Sequence, residues 1–139
     1  MLMTVLSFLL TIGVLVVIHE YGHYRAAVAC DVKVLRFSVG FGRVLWRRQR
    51  GETEFVVSAL PFGGYVRMLD ERESPVPAQE RDRAFNRKPL RQRAFIVAAG
   101  PAANFILAAV LFTVLFSVVG EQIVAPRVAQ VTPGTPAAE

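Results

Sequence analysis

The residues with the clearest chemical potential are the chain's only two histidines, which stand four positions apart in the segment His19-Glu20-Tyr21-Gly22-His23. Residues at positions i and i+4 lie on one face of a helix, so both imidazoles can reach a single tetrahedral metal ion. Glu20 can then lie beside a water molecule on that metal and take its proton, because the metal lowers the pKa of the water to about 7. The spacing predicts zinc (Zn²⁺) bound by His19 and His23, with Glu20 as the catalytic base of peptide hydrolysis.

The setting of this motif argues against a chance match. In a soluble helix the same five residues could be two surface histidines and a solvated glutamate. Here they follow residues 2–18, an apolar stretch without a charged residue. Ionisable side chains within such a span usually mark a functional site, because inserting each one costs about 2.5–3.5 kcal/mol. A haem site or a structural metal site is the alternative use of the two histidines.

Two histidines do not complete a catalytic zinc site, which needs a third protein ligand and leaves the fourth position for water. Of the other acidic residues, Asp31, Asp70 and Glu121 stand in predicted loops or beyond the second apolar stretch. They are poorly placed to reach the histidines. We therefore expect the third ligand to lie in sequence outside this chain.

Composition and charge distribution predict a membrane protein. The chain of 139 residues is 53% hydrophobic and only 19% charged, too apolar for an ordinary soluble domain. Residues 2–18 and 95–120 carry no charge and are long enough to cross a bilayer. Of the 16 Lys and Arg residues, 15 lie between Arg25 and Arg93. Because positive loops stay in the cytoplasm, we expect a cytoplasmic middle segment, with both ends across the membrane.

Two other interpretations of the sequence are less favourable. The net charge of +5 could indicate nucleic-acid binding, but no binding motif accompanies it, and attraction to anionic lipid headgroups is a better use of the charge. Residues 27–30 (AVAC) resemble a lipoprotein cleavage site ending at the single cysteine, Cys30. A signal peptide is disfavoured because no positive residue precedes the apolar stretch and the polar motif interrupts it.

The chain divides into five segments. Residues 1–30 are predicted to form the first transmembrane helix, which carries the motif. Residues 31–69 contain β-type runs separated by glycines and by a polar stretch, which predicts a membrane-associated β-hairpin region. Residues 70–94 are charged and proline-containing, which predicts a mobile cytoplasmic loop. Residues 95–120 are the second transmembrane helix, and residues 121–139 begin a further fold that we expect to continue beyond the chain.

The start of the second span is rich in small residues. Residues 98–104 (AAGPAAN) would let a neighbouring helix approach closely. Pro101 is expected to kink or break this helix. Asn104 could steady a substrate carbonyl or a ligand, or it could form a helix-to-helix hydrogen bond of under about 1 kcal/mol.

The β-type region could hold a substrate. A peptide bond in a transmembrane helix is shielded by its internal hydrogen bond, so the substrate helix must be unwound before cleavage. An exposed strand edge within residues 33–69 could bind the unwound segment by β-addition. We expect proline substitutions along residues 55–59 to disturb this binding. Phe37, Phe41 and Phe62 could contact such a substrate, although hairpin core or lipid contact is the simpler role.

Four motifs in order resemble the bacterial site-2 protease family, in its regulator-of-sigma-E branch, which performs regulated intramembrane proteolysis. They are HEYGH at 19–23, VGFG at 39–42, PFGGYVRM at 61–68 and AGPAAN at 99–104. The resemblance implies a multi-pass zinc protease of the bacterial inner membrane, with both ends of this chain in the periplasm. It implies that His19 and His23 bind the metal and that Glu20 activates water.

The same resemblance implies features that this chain does not contain in full. The family's third zinc ligand is an aspartate in an LDG motif on a later span, and no LDG occurs here. The segment from Val124 onward is similar to the start of a periplasmic PDZ-like domain. The expected partners are single-span substrates such as anti-sigma factors or signal-peptide remnants. A non-catalytic membrane scaffold and a haem-binding or metal-binding membrane protein are the remaining alternatives.

Overall fold

The computed structural model describes residues 1–120. The chain divides into two compact units, Met1–Ala109 and Val110–Glu139. The described part of the second unit is helical up to Val119, and the rings of Phe112 and Phe116 stack there with centroids 6.1 Å apart. The expected PDZ-like start lies outside the described residues.

Two long helices dominate the structure: α1 spans Leu2–Ala29 and α2 spans Leu90–Val119. Both are long and apolar enough to cross a membrane. Large apolar side chains point away from the protein on each helix, as with Leu10 at 70% exposure and Phe105 at 77%. Such surfaces suit lipid rather than water. The expectation of membrane-spanning helices is confirmed to this extent.

Helix α2 differs from its predicted course at two places. It begins at Leu90 rather than at residue 95, and the amide of Arg93 donates its hydrogen bond to the carbonyl oxygen of Pro89 over 3.1 Å. Because the first turn carries charged residues, the uncharged stretch that predicted the helix starts later, at residue 95. The helix also continues through Pro101, so the chain does not break there.

Between the helices lie two long antiparallel strands, β1 at Val34–Arg50 and β2 at Thr53–Met68. Each strand is paired twice along its length: Phe37 pairs with both Val66 and Phe55, and Phe55 pairs with both Phe37 and Arg48. The paired segments therefore form four rows, in the order 44–50, 53–58, 34–39 and 64–68.

This pairing corrects two predictions. The region is not a set of separate hairpins, because Gly40 and Gly42 lie within β1 at φ of +87° and +82° and redirect the strand instead of ending it. Residues 55–59, where proline substitutions were expected to disturb substrate binding, are not a free edge, since residues 55–57 pair on both sides. Within residues 1–120, the free edges of the sheet are the rows 44–50 and 64–68.

A small apolar core joins the end of α1, the start of β1 and the start of α2. Its buried members are Ala26, Ala27, Val32, Val34 and Ile96. Beside it, the ring of Phe37 is buried between Tyr24 and Phe55, at centroid distances of 5.8 and 5.5 Å. Phe37 is therefore a core residue, which is the simpler of its two predicted roles.

The segment before α2, predicted as a loop, contains local structure and packs against the sheet, while its predicted mobility and cytoplasmic location stay predictions. It contains two short 3₁₀ helices, Ala78–Arg83 and Phe85–Arg87, and it buries Val76 and Ala84 against Leu69. We call residues 70–89 the strap. The amide of Lys33 donates to the carbonyl of Arg83 over 3.0 Å, which joins the strap to the start of the sheet. The structure of the strap could not be predicted from the sequence, because an irregular backbone gives no regular spacing of apolar residues.

Candidate metal centre

His19 and His23 face each other one turn apart on α1. Their ring centroids are 4.8 Å apart at an interplanar angle of 79°, and their Nε2 atoms are 3.2 Å apart. A tetrahedral zinc ion with Zn–N distances of about 2.0–2.1 Å requires two nitrogen ligands about 3.3–3.4 Å apart. The pair therefore fits one metal ion between its Nε2 atoms.

The tautomer of His23 follows from its other ring nitrogen. Nδ1 of His23 lies 2.7 Å from the backbone carbonyl oxygen of Ile96, a residue only 1% exposed. Because a carbonyl oxygen can only accept, Nδ1 carries the proton and Nε2 keeps its lone pair. A hydrogen bond of this kind also orients a metal-binding imidazole and increases its basicity. The Nε2 atom of His23 therefore has a lone pair with which it could bind a metal.

Close contact between the two helices depends on glycine on both sides. A Cβ atom at Gly22 would lie 2.3 Å from the carbonyl oxygen of Ala99 and 2.8 Å from the Cβ of Ala103. A Cβ atom at Gly100 would lie 2.3 Å from Nε2 of His23. The small residues at 98–104 thus permit the close helix approach that the sequence predicts, and Gly100 leaves the space that the His23 ring fills.

Asn104 contacts the other histidine of the motif, His19. Its amide nitrogen Nδ2 lies 3.4 Å from Nδ1 of His19, while its Oδ1 atom is buried and has no hydrogen-bond partner among the described residues. The structure thus brings Asn104 to the predicted metal ligands.

Glu20 lies on a cavity beside the histidines. The cavity has a volume of about 390 Å³ and is lined by Leu15, Val16, His19, Glu20, Phe41, Phe62, Gly63, Gly64 and Asn104. A Cβ atom at Gly64 would lie 2.9 Å from Cγ of Glu20, so this glycine lets the sheet approach the carboxylate side chain. The side chains of Phe41 and Phe62 are exposed, in contrast to Phe37, and form one wall of the cavity.

Residues 1–120 hold no group of three or more His, Cys, Asp or Glu residues suited to a metal. Asp31 pairs with Arg83 at 3.2 Å. Asp70 pairs with Arg72 at 2.6 Å, and this hydrogen bond holds the pKa of the Asp70 carboxyl below its usual value. Glu121 lies outside the described residues. The location of the third ligand stays a prediction.

Two features of the site were not predicted from the sequence. They are the contact of His23 with the Ile96 carbonyl and the role of Gly100, whereas Asn104 had several predicted roles. A usable signal was present, because Ile96, Gly100 and Asn104 are spaced by four and share one face of α2. The i, i+4 rule that joined the two histidines also applies to this face.

Comparison with known proteins agrees with the motifs. Residues 7–135 match the model of peptidase family M50. The chain is 48% identical over 134 residues to the regulator of sigma-E protease RseP of Salmonella typhimurium and to that of Escherichia coli, which covers 96% of this chain and 30% of each relative. It is 57% identical over 115 residues to a Xylella fastidiosa protein named as a zinc metalloprotease. This match covers 82% of this chain and 26% of that protein.

The chain thus spans about a third or less of the length of these relatives. The family match covers the histidine motif, the sheet and both helices, and it agrees with the four motifs quoted above. The chain therefore belongs to peptidase family M50, in the regulator-of-sigma-E branch of the site-2 proteases.

Proposed function

We propose that this chain supplies the two-histidine, one-glutamate part of a zinc metalloendopeptidase that cleaves transmembrane segments of proteins within the bilayer. The observation that carries the proposal is the 3.2 Å distance between the Nε2 atoms of His19 and His23, beside a cavity lined by Glu20. The relatives named as sigma-E regulators and zinc metalloproteases support it.

Each residue has a task that follows from its position. Zinc, when bound, supplies a Lewis acid that makes water a nucleophile at neutral pH. His19 and His23 would hold it through their Nε2 atoms. The carboxylate of Glu20 takes a proton from the attacking water and can return it to the leaving amine. A third ligand from sequence outside the described residues, an aspartate by the family resemblance, would complete the site.

The sheet offers a place for an unwound substrate. Gly63 and Gly64 line the cavity, and Gly64 begins the row 64–68, which is a free edge. An extended segment that paired along this edge would have its backbone hydrogen bonds satisfied while its end lay near Glu20. We place substrate β-addition at this row. The exposed rings of Phe41 and Phe62 would then contact the substrate side chains.

The proposed setting is the bacterial inner membrane. The cationic segment between α1 and α2 would face the cytoplasm and both ends of the chain the periplasm, because positive residues are retained on the cytoplasmic side. The proposed substrates are single-span membrane proteins, such as an anti-sigma factor or a signal-peptide remnant. The names of the sigma-E regulators support the first of these.

The test replaces the matching region of the Salmonella typhimurium relative with this chain and measures cleavage of a transmembrane reporter. Glu20→Gln should lower the cleavage rate by about 10²- to 10⁴-fold, because a general base is lost, while one zinc per chain remains by elemental analysis. Glu73→Gln is the matched control, since Glu73 is an exposed partner of Arg67 and lies away from the cavity. Normal cleavage by the Glu20→Gln protein would refute the mechanism.

Metal content separates the protease from the alternative functions. The double substitution of His19 and His23 by alanine should remove the zinc from the chimera. A chimera that contains no zinc would favour the scaffold function, and visible absorption by the purified protein would indicate haem.

A further inference from the structure

We propose that Asn104 is a positioning residue that holds His19 in the tautomer whose Nε2 atom binds the metal. The inference rests on the proposed zinc site and goes beyond it, because the motif accounts for the ligands but not for what orients them. Its starting points are the 3.4 Å contact between Nδ2 of Asn104 and Nδ1 of His19, and the buried, unpartnered Oδ1 atom of Asn104.

The two histidines have the same requirement. An imidazole that binds a metal through Nε2 carries its proton on Nδ1, and that proton needs an acceptor. His23 has this acceptor in the Ile96 carbonyl oxygen at 2.7 Å. Among the described residues, the side chain of Asn104 is the polar group that contacts Nδ1 of His19.

The contacts form two rungs between antiparallel helices. The first rung joins His23 to Ile96, and the second joins His19, one turn earlier on α1, to Asn104, two turns later on α2. Gly100 lies between the rungs, where its missing side chain leaves room for the His23 ring. Asn104 therefore stands at the position on α2 from which His19 can be supported as His23 is.

The amide can serve both tautomers of His19. With Nδ2 facing the ring, Nδ1 of His19 accepts a hydrogen bond, so the ring proton lies on Nε2 and is donated to the lone pair of His23 Nε2. That proton occupies the position of the metal. A rotation of the amide by about 180° brings Oδ1 to Nδ1 and moves the ring proton there. Both Nε2 atoms then have free lone pairs, and Oδ1 gains its missing partner.

This role makes a different prediction from a simple hydrogen bond between helices. A helix contact only requires that the two side chains pair. A positioning role requires an acceptor oxygen opposite Nδ1 of His19. Aspartate at position 104 keeps that oxygen, whereas leucine has nearly the same size and shape but no acceptor.

The experiment measures zinc affinity by competition with a chromogenic chelator in the detergent-purified chimera, which supplies the third ligand that this chain is expected to lack. Asn104→Leu should weaken zinc binding by about 10- to 100-fold, the usual effect of losing a hydrogen-bond partner of a metal ligand. Asn104→Asp should keep the affinity within a few-fold of the unsubstituted chimera. Equal affinity in the leucine variant, or an equal loss in both variants, would overturn the inference.

A spectroscopic measurement makes the result independent of the activity. Because the chain has only two histidines, ¹⁵N-histidine labelling gives two sets of ring signals. Zinc should place the proton of His19 on Nδ1 in the unsubstituted chain. In the metal-free state, Asn104→Leu should change the tautomer balance of His19 and leave His23 on Nδ1–H.

The two proposals can fail separately. If the chimera neither binds zinc nor cleaves its reporter, the proposed function fails. The metal-free spectra then decide the role of Asn104, since an unchanged His19 signal in Asn104→Leu refutes it and a selective change supports it.

Discussion

At the scale of single residues, the site depends on a missing side chain as much as on the three residues of the motif. Gly100 stands where a Cβ atom would lie 2.3 Å from Nε2 of His23, the atom that would bind the metal. The His23 ring is held by a hydrogen bond of 2.7 Å to the buried carbonyl oxygen of Ile96. The ring cannot move away from an added Cβ atom without losing that hydrogen bond. We therefore expect the proposed metal site to be sensitive to one added methyl group.

We therefore expect Gly100→Ala to weaken zinc binding by about tenfold or more, and to destabilise the fold by about 1–3 kcal/mol, the usual cost of overpacking. Gly13→Ala is the matched control, because Gly13 lies in α1 with no atom within 4 Å of its added Cβ. Alanine favours a helix more than glycine does, so Gly13→Ala should leave zinc affinity unchanged and stability equal or slightly higher. Chelator competition and thermal unfolding in one detergent check both; identical zinc affinities would contradict the expectation.

At the scale of elements, the sheet shows how two strands can form four rows. Gly40 lies at φ of +87°, and a Cβ atom there would be 2.8 Å from the carbonyl oxygen of Leu60 and 2.9 Å from that of Ser58. Both neighbours are backbone atoms of β2, which cannot turn aside as a side chain can. Gly51, in the turn between the strands, also has positive φ (+60°) but has open space around it. A comparison of alanine substitutions at these two glycines therefore separates the cost of a left-handed backbone from the cost of a steric contact.

Alanine at either glycine should cost about 1–2 kcal/mol for the left-handed backbone. Gly40→Ala should cost at least about 1 kcal/mol more than Gly51→Ala, because the added methyl also meets two carbonyl oxygens. The free energy of unfolding, measured by denaturant titration in mixed micelles, checks the difference. If the two variants were equally stable, close backbone packing at Gly40 would be refuted.

At the scale of the whole molecule, ion pairs connect the strap to distant elements. Arg83 in the strap binds Glu52 in the turn between the strands at 2.7 Å and Asp31 after α1 at 3.2 Å. The hydrogen bond from Arg83 lowers the pKa of Glu52 below its ordinary value of 4.5. Arg87 lowers the pKa of Glu71 in the same way. Glu52 and Arg87 are exposed and Arg83 and Glu71 are partly exposed, so each pair contributes modestly.

The direction of the pH dependence follows from these lowered pKa values. A carboxyl whose pKa is lower in the folded state stabilises the fold fully above its ordinary pKa, and this contribution is lost as the pH falls through the folded value. We therefore expect the melting temperature in detergent to be steady from pH 7 to about 5 and to fall below about pH 4.5.

Replacing Arg83 tests the source of this dependence. Arg83→Gln should lower the melting temperature at pH 7 and make its fall in acid smaller, because Glu52 then titrates nearer its ordinary value. Arg48→Gln is the control, since Arg48 lies on a free edge of the sheet and has no ion pair within residues 1–120. Parallel curves for Arg83→Gln and the unsubstituted chain would show that the strap does not depend on this pair.

The sequence alone determined the features that depend on spacing along the chain. The histidines four residues apart, the two apolar stretches and the small residues at 98–104 each describe one helix, and a helix places near neighbours on one face whatever surrounds it. The membership of peptidase family M50 also followed from local motifs. These features predicted where a metal could bind and which helix would approach it.

Contacts between residues far apart in the chain depend on how the helices and strands pack. The partners of the two histidines, Ile96 and Asn104, lie more than 70 positions away, and their contacts depend on the crossing of α1 and α2 at Gly22 and Gly100. The double pairing of the strands and the ion pairs of the strap also join residues that are far apart in the chain. Each arises from packing between segments far apart in the chain, for which a single sequence has no period or spacing to read.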